Sequence, residues 1–224
     1  MANTITISSH GKSMAAMFYT PASTTTTTTH GAIIIGYGSD GMNTPWGKMI
    51  EEYAESLAAK GFSVLIPNYL TVTNTQAGPA VFPLIMEHRD DWEGALSDAI
   101  GHAKNLPQVD PARIGLLGFS LGGYLCIRLR AKVKVLVEFF APAFDGMGAP
   151  GTLRHAQVHH GKADNLIPFA DAETIAQKLK GEGASTELYP YPESGHGFVG
   201  DDPGNTKARD LSRERTQAFF ESHL

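Results

Sequence analysis

From residue 31 onward, short apolar runs recur along the chain with amphipathic stretches between them: AIIIG (32–36), SVLIP (63–67), RIGLLGF (113–119), VKVLVEFF (133–140), AQVHHG (156–161) and TELYPY (186–191). A strand with one solvated face alternates apolar and polar positions, whereas these runs are nearly continuous, as in strands covered on both faces. Helical patterns fall at 45–60, 89–105, 121–131, 170–182 and 206–222. Repeated strand and helix alternation predicts an α/β architecture: a mostly parallel central sheet with helices on both faces. Ahead of it, Thr4–Ser8 and Met14–Tyr19 flank His10-Gly11-Lys12 and read as a hairpin, which gives the sheet an antiparallel N-terminal edge.

The connections add detail. Ser23 and the six threonines Thr24–Thr29 carry no apolar period and read as a low-complexity surface loop (23–29). Residues 68–88 form the longest connection without a clear pattern, long enough to wall a pocket. The piece from Ala141 to Arg154 is too short for a large helical lid. No internal repeat or composition shift divides the chain, so residues 1–224 are expected to form one domain.

Composition narrows the function classes. A hydrophobic share of 42 % with 24 glycines, 13 prolines and 18 % charged residues describes a turn-rich globular chain. Eighteen basic against 23 acidic residues give a net charge of −5 without a Lys/Arg cluster, which argues against a nucleic-acid partner. The longest apolar runs fall far short of the roughly 20 residues that span a bilayer, and MANTITISSHGK lacks the basic start and apolar run of a signal peptide. A cytoplasmic protein with no membrane partner is the expectation. Cys126 is the single cysteine, so no internal disulfide can form; within an apolar helix it reads as a packed core residue.

The candidate chemistry begins at Gly118-Phe119-Ser120-Leu121-Gly122, a G-x-S-x-G pattern that follows an apolar strand and opens a helical stretch. A serine on a sharp strand-to-helix turn sits in a strained backbone, and glycines two residues away on either side let neighbouring segments approach. The helix directs free N–H groups and its positive dipole end at the same spot. Ser120 is therefore the expected nucleophile and the Leu121 N–H the first oxyanion donor. A glycine-rich turn with an ordinary serine is the plainer reading; a phosphate-binding loop fails for want of its Lys-Ser/Thr.

A serine hydroxyl needs a base within hydrogen-bond reach and a third group to orient that base. His196, in Glu193-Ser194-Gly195-His196-Gly197-Phe198, lies between the last strand and the last helix and is the candidate base. Asp164 follows the strand ending at Gly161 and is the candidate acid, with Asp145 the fallback and Asp171 better suited to begin or cap a helix. The order Ser, Asp, His is the one an α/β-hydrolase fold requires. The second oxyanion donor should come from Tyr37-Gly38-Ser39-Asp40-Gly41, with Ser39 first and Gly38 next; the same glycines also suit a plain turn, with Asp40 placed to cap the helix that follows. His155, His159 and His160 could suggest a metal, but the last two are adjacent on a strand and point to opposite faces, so structural histidines and no metal are expected.

The run Trp92…Asp98-Ala99…Asp110-Pro111-Ala112-Arg113-Ile114-Gly115…Gly118-Phe119-Ser120-Leu121-Gly122-Gly123, then His160-Gly161…Asp164…Pro168, then Tyr189…His196-Gly197-Phe198, resembles the dienelactone hydrolase family. The likeness runs from about residue 31 to the closing helix with Phe219-Phe220. It implies an esterase or lactonase with a small or absent lid and no cofactor. Two departures stand out: Ser120 occupies the place of the founding members' cysteine, and Gly36-Tyr37-Gly38 replaces their glutamate after the preceding strand. Both point away from dienelactone itself.

The expected function is hydrolysis of a small-molecule carboxylic ester or lactone through an acyl-enzyme, by a monomer or small homo-oligomer. A thioesterase or small acyl-peptide hydrolase would use the same parts. Outside that class stand a catalytically silent binding protein, which a fluorophosphonate would not label, and a metal-dependent hydrolase, which EDTA would inactivate.

Overall fold

The strand order in space follows from which runs can bury both faces. A computed structural model of the protein describes residues 2–21 and 29–224. Eight strands form one sheet: β1 (Ala2–Ser9), β2 (Lys12–Tyr19), β3 (His30–Gly36), β4 (Ser63–Pro67), β5 (Val109–Phe119), β6 (Val135–Phe139), β7 (His155–Gly161) and β8 (Ser185–Tyr191), in the order β1-β2-β4-β3-β5-β6-β7-β8. The pairs β1/β2 and β2/β4 are antiparallel, and the rest are parallel. The continuously apolar β3, β4 and β6 occupy the interior, where nearly every residue is buried, whereas β1 and β8 at the edges keep exposed positions. The antiparallel N-terminal edge and the parallel centre are as the pattern predicts.

Helices cover both faces. The helices α1 (Trp46–Ala59) and α5 (Pro203–His223) pack together on one side, where Tyr53 meets Phe119 and Phe220 lies against Gly115. The helices α2 (Ile85–Lys104), α3 (Leu121–Arg128) and α4 (Phe169–Gly181) lie on the other. Helix α5 starts three residues earlier than its apolar period suggests, because Asp202 caps the Asn205 N–H and Pro203 takes the first turn, where its missing N–H costs nothing.

Residues 68–88 are not patternless. Two 3-10 segments, Tyr69–Thr73 and Pro79–Leu84, lead into α2, pinned by buried Tyr69, Leu70, Val72 and Val81 and by a Trp92 Nε1–H to Thr73 Oγ1 bond of 2.8 Å. The threonine-rich stretch lies, through Thr28, outside the described residues. Among the described residues, no helix is long and apolar enough to cross a membrane.

Candidate active site

The parallel strands β5, β6 and β7 end side by side, so the loops that leave them converge on one edge of the sheet. At the end of β5 the chain turns into α3 through Ser120, whose backbone sits at φ 52°, ψ −118°. That is a strained conformation for a residue with a Cβ. The Ser120 N–H donates to Phe139 O at 2.8 Å and its carbonyl accepts from Tyr124 N at 3.0 Å, which holds the turn. The flanking glycines are needed for contact: a Cβ on Gly118 would lie 2.5 Å from Gly123 Cα, and one on Gly122 would lie 2.1 Å from Gly36 O. Strand, helix and the loop after β3 thus meet at a separation that only glycine permits.

His196 arrives from the loop between β8 and α5. Its Nε2 lies 3.2 Å from Ser120 Oγ and its Nδ1 lies 2.7 Å from Asp164 Oδ2. With Asp164 ionised, Nδ1 carries the proton and donates, which leaves Nε2 free to accept from the serine. The loop is tied to the start of α5, where the Gly195 N–H donates to Asn205 Oδ1 at 3.1 Å and Arg209 donates to Phe198 O. The edges of Phe140 and Trp46 flank the imidazole, with ring centroids 4.9 and 6.2 Å away.

Asp164 sits in a tight turn after β7 with its side chain shielded from solvent. Burial alone would raise its carboxyl, but hydrogen bonds from His160, His196 and the backbone outweigh it and hold the group well below the usual carboxylate range. Its Oδ1 accepts from the Leu166 and Ile167 N–H groups, both at 2.8 Å, and its Oδ2 accepts from His196 and lies 3.3 Å from His160 Nε2, whose N–H donates to Ile167 O at 2.9 Å. The sequence reading took His160 as a structural histidine, and nothing in a linear pattern reveals this second contact. As the strand period requires, the neighbouring His159 faces the other way, stacked on Phe139 at 4.4 Å.

The rival acids lie elsewhere: Asp145 is exposed in the loop after β6, and Asp171, in the first turn of α4, accepts from the Ala143 N–H at 2.9 Å. No side chain caps α3, and among the described residues the Leu121 and Ser39 N–H groups donate to no protein acceptor. Gly38 packs beside the serine, a Cβ there falling 3.9 Å from Ser120 Oγ. Asp40 does not cap α1, whose N-cap is Pro45 without a side-chain bond; it lines the pocket instead. Among the described residues, no three His, Cys, Asp or Glu side chains gather to hold a metal.

Ser120 and His196 open into a cavity of about 70 Å³ bounded by Gly38–Gly41, Trp46, Met49, Ile50, Phe119, Phe140 and Leu166. None of residues 68–88 lines it, contrary to the expectation that this stretch walls the pocket. Asn68, Leu70, Thr71 and Thr75–Ala77 border another groove, which they share with Tyr37 and Gly41–Asn43.

The sequence profile of the dienelactone hydrolase family matches residues 14–224. A Synechocystis protein provisionally named a carboxymethylenebutenolidase is 29 % identical over 145 residues, which is 58 % of this chain and 58 % of that protein. The matched stretch thus spans little more than half of that relative's length. Among solved structures, a Klebsiella pneumoniae protein provisionally named a dienelactone hydrolase superposes with a TM-score of 0.81 at 18 % identity, over 100 % of this chain and 99 % of that one. Esterase 2 of Thermogutta terrifontis gives a TM-score of 0.71 at 19 % identity, over 96 % and 91 %. At such identities the structural likeness speaks for the α/β-hydrolase fold alone, and the profile match completes the assignment: this chain belongs to the dienelactone hydrolase family.

Proposed function

We propose that the protein is a carboxylic ester hydrolase that cleaves a small-molecule ester or lactone through a Ser120 acyl-enzyme. The observation that carries this reading is the hydrogen-bonded row Ser120 Oγ, His196, Asp164 at the mouth of an apolar pocket. In the first step Ser120 Oγ bonds to the substrate carbonyl carbon while its proton passes to His196 Nε2. The carbonyl oxygen, now an anion, is held by the Leu121 and Ser39 N–H groups, with Gly38 beside them. Collapse of this intermediate breaks the bond to the alcohol oxygen, which leaves with the proton from His196. A water then adds to the acyl carbon, gives its proton to His196, and the carboxylic acid departs as Ser120 recovers the proton. Asp164 stays ionised throughout and stabilises the imidazolium that forms twice per turnover.

The test is fluorophosphonate labelling with mapping of the modified residue, alongside hydrolysis of 4-nitrophenyl acetate by the parent and by Ser120→Ala. Labelling at Ser120 and a loss of roughly 10³-fold or more in kcat are expected. Equal hydrolysis by Ser120→Ala, or a label elsewhere, overturns the reading.

A further inference from the structure

We infer that the pocket at Ser120 accepts only short, uncharged acyl groups and that Trp46 is the wall that sets their length; this rests on the hydrolase reading above. Size comes first. The cavity of about 70 Å³ is half of the roughly 150 Å³ that holds one benzene ring and far below the roughly 300–1,000 Å³ of pockets for larger ligands. It has room for about three carbon-sized groups on that comparison. During catalysis the acyl group stays bound to Ser120 through two steps while the alcohol must escape to solvent after the first. The enclosed part, between Trp46, Met49, Ile50 and Phe140, therefore suits the acyl group, and the open side past Leu166, which is 52 % exposed, suits the leaving alcohol.

Charge comes second. Lys and Arg are absent from the cavity lining among the described residues, and the charged residue that borders it, Asp40, is acidic. An acyl group with its own carboxylate would lose its water there without gaining a counter-ion.

Trp46 is singled out by what lies behind it. A second cavity of about 220 Å³, lined by Pro45, Lys48, Glu52, Val199, Asp201 and Arg209 among others, shares Trp46 and Met49 with the first. The indole is therefore a partition between two hollows. It is also fixed in place: a Cβ on Gly197 would fall 1.8 Å from its Cζ3, so the ring lies flush against the backbone of the His196 loop. Removing the ring joins the short pocket to the larger hollow.

The experiment measures kcat/KM for 4-nitrophenyl acetate, butyrate, hexanoate and octanoate, and for the mono-4-nitrophenyl ester of succinic acid, with the parent, Trp46→Ala and Trp46→Phe. The parent should prefer acetate or butyrate over octanoate by at least about tenfold, since one methylene too many or too few is worth roughly 10–200-fold in a shaped pocket. It should also disfavour the charged succinyl ester against butyrate by at least that factor. Trp46→Ala should raise the hexanoate-to-acetate ratio about tenfold or more, with Trp46→Phe between it and the parent. A parent that cleaves octanoate as fast as acetate, or a Trp46→Ala profile unchanged while the protein remains folded by circular dichroism, overturns the inference. The parent profile alone decides the size claim should the alanine variant not fold. Fluorophosphonate labelling of Ser120 in the same samples separates the failures: a labelled Ser120 with a flat chain-length profile refutes only the acyl limit, whereas an unlabelled Ser120 refutes the hydrolase reading and this inference with it.

Discussion

Asp164 and Glu138 are both buried carboxylates near the ends of adjacent strands, and both face His160, yet their surroundings drive them apart. Asp164 collects two backbone N–H groups and two imidazoles, and these outweigh burial to keep it ionised. Glu138, wholly enclosed on β6, receives only the Ala141 N–H at 3.0 Å on Oε2, while Oε1 has no protein partner. Burial pushes its carboxyl up to about 8, against the opposing pull of His160 and the Ala141 N–H. Both side chains are shielded from solvent, but Glu138 lies deeper and meets fewer donors, and the two differences act together to decide which buried acid stays charged.

The hardest way to break the contrast is at Asp164. Asp164→Asn should lower kcat roughly 10³–10⁴-fold, because the amide presents the wrong partner to His196 Nδ1–H and leaves the imidazolium without its counter-charge. Glu138→Gln should cost less than about threefold by the same assay. Comparable losses at the two sites would dissolve the distinction.

His160 sharpens it next. Burial lowers its ring, but Asp164, the Ile167 carbonyl and Glu138 outweigh this and raise it. His160→Gln removes one of the donors that hold Asp164 down, so kcat should fall about tenfold with KM little changed, a loss matching one charge-assisted hydrogen bond. The Asp164 carboxyl then rises toward the usual carboxylate range while staying ionised at neutral pH. An unchanged kcat would mean a packing role alone.

Stability against pH tests the Glu138 half, with the sign worked out. An acid whose folded value is raised from 4.5 to about 8 keeps its proton in the folded state while the unfolded chain releases it, so stability declines as pH climbs across that window. His160, also raised, adds a decline in the same direction. Asp164 acts oppositely: its contribution is present above the unfolded carboxylate value and fades as pH falls below it. Glu138→Gln should therefore flatten the fall in Tm between about pH 5 and 8 by a few degrees, at roughly 2–4 °C per kcal/mol for a chain of this size. An unchanged slope in thermal melts would show that Glu138 is not the source.

The smallest effect concerns Cys126, fully buried in α3 with its thiol pushed up to about 12 by burial. Iodoacetamide at pH 8 should leave it unmodified in the native protein and alkylate it only after unfolding, as judged by mass spectrometry.

Much of this site is legible along the chain because each part has a local cause. The elbow at Ser120 shows as glycines spaced about a serine between a buried strand and a helix. Asp164 and His196 show because each follows a strand of a parallel sheet, and parallel strands deliver their exit loops to one edge. What stays hidden depends on distances between segments remote in sequence. The second imidazole on Asp164 needs the turn after Gly161 to fold Asp164 back beside His160, and the indole wall needs α1 to lie flush against Gly197. The segment 68–88 looked patternless because its anchors, Tyr69, Val72 and Val81, are buried without a helix or strand period.

By itself, then, the sequence determined the parallel sheet, its antiparallel edge, and the order of serine, acid and histidine, since hydrophobic period and turn chemistry are local properties of the chain. Only the tertiary structure decided which buried carboxylate is charged, which histidine backs it, and how much room lies in front of Ser120. Those are set by the depth of burial, the number of donors and the volume enclosed when distant segments pack together, quantities with no counterpart in a linear pattern.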